Sequence, residues 1–264
     1  MSDILEELSA ARRADAAERE RAVPFDEMMR RAALAPAPRD FAAALRRGDG
    51  RPHIIAELKR ASPSEGMIRE VFRPAELAAE LAASGASALS VLCEPHRFLG
   101  GEEYLAEARA ASGLPVLYKD FVTTRYQVAA ARAAGADAVL LIAAVLDDGA
   151  LADLLGFARG LSLAALVETH DAQEIARAAA LGAEEIGVNC RNLRDFSTDV
   201  TLIERLVGEI PPRCVRVAES GMHSAEAVRR AKDAGADAFL VGTALMRAAS
   251  PGGRLRRLLG DGLK

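Results

Sequence analysis

From His53 onward the chain alternates between short, nearly unbroken apolar runs and longer stretches in which apolar residues return with helical spacing. The runs are HIIAEL (53–58), ALSVL (88–92), PVLYK (115–119), AVLLI (138–142), AALVE (164–168), EIGVN (185–189), CVRVA (214–218) and AFLVG (238–242). Strands buried on both faces read this way, and strands joined through helices run parallel. Eight such units predict an α/β fold, a closed (β/α)8 TIM barrel, which suits the length better than an open doubly wound sheet. No GxGxxG follows the first run, which removes the main dinucleotide-binding alternative.

An internal repeat gives the same count. ASGASALSV, AAGADAVLL, ALGAEEIGV and DAGADAFLV each carry a glycine (Gly85, Gly135, Gly182, Gly235) where a helix should end and strand two, four, six or eight should begin. The spacing of about 50 residues is two βα units, as a four-fold pseudo-repeat of an eight-unit barrel would give.

Ahead of the first strand, Met1 to about Arg47 is polar, alanine-rich and helical in period, with Ile4, Leu5 and Leu8 forming one apolar face. A Gly/Pro break, GDGRP, then precedes the strand. The competing reading is a solvated tail, but an apolar face needs a partner, so helices docked on the barrel are expected. The expected division is an N-terminal helical extension over 1–47 and a catalytic barrel over 48–264.

Composition narrows the function. The chain has 264 residues, half of them hydrophobic, enough for a sizeable core. A net charge of −4 argues against a nucleic-acid or anionic-membrane binder. No apolar run is long enough to span a bilayer and the charged N-terminus is unlike a signal peptide, so a soluble cytoplasmic protein is expected. Cys93, Cys190 and Cys214 form no CxxC, and His53, His96, His170 and His223 form no HxxxH-type pair, so neither a disulfide framework nor a metal site is supported.

The chemistry is expected where charge interrupts the runs. Glu57 and Lys59 end the first, Lys119 the third and Glu168 the fifth, and Glu219 directly follows the seventh. Side chains alternate faces along a strand, so Glu57 and Lys59 share a face opposite Leu58. If Leu58 faces the helices, the charged groups face the barrel interior near its mouth. Strands one, three, five and seven supply one interior layer, which can hold them all. A hydrophobic layer would usually be at least as stable, so salt bridges that merely plug the barrel are the weaker explanation. An acid–base cluster, tuned by burial and Lys–Glu contacts, is the stronger.

Two turns add a second element. AESGM places Ser220 and Gly221 after strand seven, and LVGTALM places Gly242 and Thr243 after strand eight, ahead of a short helix. Phosphate sites commonly form there. The loop after strand one, KRASPSEG, is either an anion-closing segment or an ordinary mobile loop. His170 reads as a loop histidine because its strand has ended. Cys190, with no histidine beside it in a recognisable pattern, reads as a small filler near the site.

These residues resemble the indole-3-glycerol phosphate synthase family. The matching segments are IAELKRASPSEG, LSVLCEPHRFLGG, LPVLYKDFVTTRYQV, AAGADAVLLIAA, LVETHD, IGVNCRNL, VAESGM and VGTALMR, in order from about residue 54 to 247, and the N-terminal segment is similar to that family's extension. The resemblance implies conversion of 1-(2-carboxyphenylamino)-1-deoxyribulose 5-phosphate to indole-3-glycerol phosphate, carbon dioxide and water, in tryptophan biosynthesis, with no metal or organic cofactor. It implies Lys119 as general acid, Glu168 as the catalytic glutamate, and Lys59 as a substrate-binding lysine able to donate a proton. Glu57 and Glu219 would orient those lysines, and Asn189 would hydrogen-bond substrate or intermediates. Phe98, Phe121, Leu140, Leu193 and Leu240 would line the anthranilate pocket with Arg191 near, and Ser220, Gly221, Gly242 and Thr243 would hold the phosphate. No fused isomerase or glutaminase domain is expected. The implied partner is a phosphorylated small molecule, with no nucleic acid or membrane. The implied state is a monomer or weak homodimer open to association with other enzymes of the pathway. Cys190 and Thr243 depart modestly from the family pattern.

Three other readings stay open at this stage. An aldolase-like barrel would use Lys119 as a Schiff-base nucleophile, although a lysine flanked by carboxylates is a poor free amine. A sugar-phosphate isomerase such as phosphoribosylanthranilate isomerase would share the phosphate turns but place a cysteine base where ELK stands. A non-catalytic barrel would bind phosphorylated ligands alone.

Overall fold

Each of the eight apolar runs forms a strand. A computed structural model describes residues 4–46, 50–191 and 197–260. The strands are β1 (His53–Leu58), β2 (Ala88–Leu92), β3 (Val116–Lys119), β4 (Ala138–Ile142), β5 (Ala164–Thr169), β6 (Glu185–Asn189), β7 (Val215–Glu219) and β8 (Ala238–Val241). All pair in parallel with their chain neighbours, and β1 also pairs with β8, which closes a TIM barrel. Boundaries differ from expectation by one residue where the backbone has other partners. Cys214 N–H still bonds the Pro211 carbonyl at 2.9 Å, so β7 starts later and takes in Glu219, which pairs with Asn189 and Leu240. Gly242 turns away at φ −116°, ψ −79°, so β8 stops at Val241.

The helices are α1 (Ile4–Ala22), α2 (Phe25–Leu34), α3 (Phe41–Leu45), α4 (Pro74–Ala83), α5 (Glu102–Ser112) and α6 (Arg125–Ala133). They continue with α7 (Asp148–Gly160), α8 (Ala172–Ala180), α9 (Thr201–Leu206), α10 (Ala225–Asp233), α11 (Thr243–Met246) and α12 (Pro251–Leu258). The four repeat glycines follow α4, α6, α8 and α10 with φ between 88° and 108°, the left-handed geometry inferred for them.

Strand parity splits the core into two shells. Ile55, Leu117, Leu140, Leu166, Val217 and Leu240 fill the barrel interior. Ile54, Leu58, Val91, Val139, Val167 and Phe239 face the helices. Leu58 therefore points outward, as the placement of Glu57 and Lys59 requires. Tyr118 also faces out, donating its hydroxyl to Glu102 and Asp120. The N-terminal helices are docked, and the solvated-tail reading falls. Leu5 and Leu8 of α1 are buried, and α2 packs Met28 beside Tyr126, Ala129 and Ala130 of α6. Phe41 and Leu45 of α3 join the interior shell and close the end of the barrel opposite the strand C-termini. Each such buried side chain contributes about 1.5–3 kcal/mol. Among the described residues no helix is long and apolar enough to cross a membrane.

Candidate active site

The C-terminal ends of the strands bring the expected charges into one layer. Lys119 Nζ sits 2.6 Å from Glu168 Oε2 and 3.2 Å from Glu219 Oε2. Lys59 Nζ sits 2.9 Å from Glu57 Oε1. Glu57, Glu168 and Glu219 are 4%, 2% and 1% exposed, so solvent screens these pairs little. Backbone choices make the room. A Cβ at Gly187 would collide with Glu219 Oε1, and one at Gly242 would collide with the Glu57 carboxylate.

The buried lysine and carboxyls of this layer set one another's charge. Burial would lower the Lys119 pKa, but Glu168, Glu219 and Glu57 outweigh it and hold the ammonium form well above the usual lysine range. Burial would raise Glu168, yet Lys119, His170 and a hydrogen bond from Asn189 bring it down to about 2. For Glu219 burial prevails: Lys119 opposes it, the Glu168 charge adds to it, and the carboxyl is pushed up to about 8. Glu219 Oε1 is buried without a hydrogen-bond partner. Their surroundings thus push the two carboxyls in opposite directions, Glu168 toward the anion and Glu219 toward the acid.

Above this layer the walls turn apolar. Phe98 and Phe121 face each other with ring centroids 6.2 Å apart, and Leu140, Leu240, Ile142 and Leu92 complete the pocket. Asn189 and Arg191 lie on its β6 side. Ser220, Gly221, Gly242 and Thr243 line an adjoining cavity together with Lys59 and Arg191. Ser220 and Gly221 have φ of 67° and 70°, and Ser220 Oγ donates to Asn189 Oδ1 at 2.8 Å. Leu193 lies outside the described residues. The loop after β1 forms a two-rung hairpin, Ala61–Ser62 against Gly66–Met67. Arg191 donates to Ser64 at 2.9 Å and Arg247 pairs with Glu65 at 2.5 Å, drawing the hairpin over the pocket. Cys190 is buried, and burial lifts its thiol to about 11, which agrees with a filler and not a nucleophile.

Sequence reading missed three supports. Glu94 follows β2, is fully buried, and accepts the backbone N–H groups of His96, Arg97 and Phe98 at 2.7–2.8 Å, which fixes Phe98 over the pocket. Asp120 follows Lys119 and is gripped by Arg12 of α1 from 2.6 to 3.1 Å. His170 is a loop residue, as read, but its ring returns to within 3.7 Å of Glu168. Glu94 and Asp120 were discoverable as further charges at strand ends. The Arg12 partnership carries no local signal.

A parallel barrel with buried lysines and glutamates at its C-terminal mouth, beside a cavity ringed by two cations and two glycine turns, has the architecture of a (β/α)8 enzyme. Known proteins agree. The sequence profile of the indole-3-glycerol phosphate synthase family matches residues 5–258. A protein of that name from Acidithiobacillus ferrooxidans is 48% identical over 263 residues, 99% of this chain and all of the relative. One from Albidiferax ferrireducens is 46% identical over 260 residues, 98% of each chain. Among solved structures, a 3-hexulose-6-phosphate synthase superposes with a TM-score of 0.63 at 17% identity, covering 79% of this chain and 98% of that one. An N-acetylmannosamine-6-phosphate 2-epimerase from Clostridium perfringens gives 0.62 at 15%, covering 85% and 97%. These two speak to the fold alone. The chain belongs to the indole-3-glycerol phosphate synthase family, carboxy-lyases of tryptophan biosynthesis.

Proposed function

We propose that this chain closes the indole ring with Lys119 as general acid, Glu168 as base and Lys59 as the lysine that grips the substrate. The substrate is 1-(2-carboxyphenylamino)-1-deoxyribulose 5-phosphate, and the products are indole-3-glycerol phosphate, carbon dioxide and water. As the aromatic carbon bearing the carboxylate attacks the ketone, the oxygen takes a proton from Lys119. Carbon dioxide leaves and its electron pair restores the ring. The new hydroxyl then departs as water with a second proton from Lys119, reloaded by Glu219 3.2 Å away, and Glu168 accepts the proton lost from the neighbouring carbon.

The remaining residues hold this chemistry in place. Glu57 and Glu219 orient the two lysines, and Asn189 meets the intermediates, steadied by Ser220. The walls of Phe98, Phe121, Leu140 and Leu240 receive the aromatic ring, where low polarity favours discharge of the carboxylate as neutral gas. Ser220, Gly221, Gly242 and Thr243 receive the phosphate between Lys59 and Arg191. We place the protein in the cytoplasm, as a monomer or weak homodimer that can associate with neighbouring pathway enzymes. Among the described residues the exposed large apolar side chains are only Leu34, Met67, Val71 and Leu99, which supports a weakly associating surface.

The observation that carries the reading is the buried Lys119 ammonium bridging Glu168 and Glu219 at the barrel mouth. Adding the substrate to the protein should raise indole fluorescence with one carbon dioxide released per product. A folded protein that binds the substrate yet forms no product would overturn it.

A further inference from the structure

The reaction as proposed consumes a proton. Two protons enter, one to the ketone oxygen and one to the departing hydroxyl, while one is lost from the ring. The substrate carboxylate leaves as neutral carbon dioxide, so one proton per turnover must come from solvent. The mouth is a poor route for it. Glu168 and Glu219 are buried, and the hairpin lies over the pocket.

A second route lies behind Glu168. Its Oε2 is held by Lys119, which leaves Oε1 facing His170 Nε2 at 3.7 Å. On the other side of the ring, Nδ1 lies 3.5 Å from Glu174 Oε2 in the first turn of α8. That oxygen already accepts the His170 backbone N–H at 2.8 Å, which fixes Glu174 against the ring. Both ring nitrogens are buried and neither completes a hydrogen bond, an uncommon state for a side chain with two polar atoms. Small shifts of the ring would close either gap.

Beyond Glu174 is water-sized space. His170 and Glu174 line a cavity of about 790 Å³ that meets the catalytic pocket only at Asn189 and Arg191 among their described linings. Glu6 and Arg13 of α1 face it from across, and Asp199 borders it after β6. Burial would depress the imidazole pKa, but Glu174, Glu168 and Glu219 more than offset it and hold it above the ordinary histidine value. The ring can therefore carry a proton near neutrality.

We propose that His170 is a relay residue that draws a proton from Glu174 at this second cavity and passes it to Glu168; between turnovers Glu168 returns two protons through Lys119, the ring proton to Lys119 itself and the relayed one onward to Glu219, which supplied the second donation. Only N–H and O–H bonds change: Nδ1 gains a proton as Nε2 gives one up, and solvent restores Glu174. His170 touches no substrate and acts through Glu168, so the inference rests on the acid–base reading above.

Rapid-quench kinetics test it. In His170→Asn and His170→Gln the first turnover should run at the wild-type rate on protons already in place. The steady state should then slow roughly 10-fold or more, with KM little changed. Imidazole in the buffer should restore the steady rate in proportion to its concentration. Glu174→Gln, which leaves the ring in place, should give the same two-phase trace. A wild-type steady rate in all three variants, or a slowed first turnover that imidazole does not lift, would overturn the relay. Lys119→Ala in the same assay separates the two claims. If it keeps its first turnover the acid–base reading fails and the relay with it; if it loses that turnover while the His170 variants behave normally, only the relay fails.

Discussion

Arg12→Ala should destabilise the protein far more than loss of a cation from an N-terminal helix usually does. Arg12 grips both oxygens of Asp120 from Nε and a terminal nitrogen at 2.6–3.1 Å, and the Asp120 side chain is wholly buried. Removing one member of a buried pair leaves the other charge uncompensated, at a cost of about 3–5 kcal/mol. Asp120 would keep the Phe121 N–H at 2.8 Å and the Tyr118 hydroxyl at 3.1 Å, which places the expected loss near the lower end, about 3 kcal/mol. Urea unfolding at neutral pH reads this as a lower midpoint with an unchanged slope. Asp120→Asn removes the stranded charge, so the double variant should recover at least ~1 kcal/mol relative to additivity. Turnover should also fall several-fold, because Asp120 anchors the backbone next to Lys119. A loss below ~1 kcal/mol, or strict additivity with Asp120→Asn, would refute this coupling between α1 and the site.

Two further outcomes concern pH. Glu185 is buried at the start of β6, where burial first and the Glu184 charge second raise its carboxyl to about 7. The unfolded chain releases that proton earlier, so the group's contribution is intact below its unfolded value near 4.5 and is lost as pH climbs toward 7, by about 3 kcal/mol. Glu185→Gln should flatten that decline in thermal melts taken across the window, and an unchanged pH slope would count against it. Glu219 holds its proton up to about 8. The kcat/KM profile should therefore show an alkaline limb near there that Glu219→Gln removes, and persistence of the limb in the variant would assign it to another group.

Much of this architecture was legible because its causes are local. Two-residue parity in HIIAELK was enough to send Glu57 and Lys59 inward once Leu58 faced out, and the structure does so. The repeat glycines marked helix ends because only a residue without Cβ takes that backbone angle at no cost. Glu219 was placed one residue beyond its strand, since strand ends depend on which carbonyl the turn before them engages. What escaped was non-local. Arg12 and Asp120 lie 108 residues apart, and nothing in either neighbourhood names the other. His170 looked spent because its strand had ended, yet the turn into α8 swings the ring back against Glu168. Distance along the chain hid the first contact, and the turn of the backbone after the strand hid the second.

The most direct measurement compares wild type, Lys119→Ala and Glu168→Ala for both turnover and substrate binding. If the buried ammonium–carboxylate pair performs the proton transfers, each substitution lowers kcat by at least on the order of 10²-fold. The phosphate and aromatic contacts should still hold the substrate in both variants. Wild-type-like turnover in both would contradict acid–base catalysis by this pair.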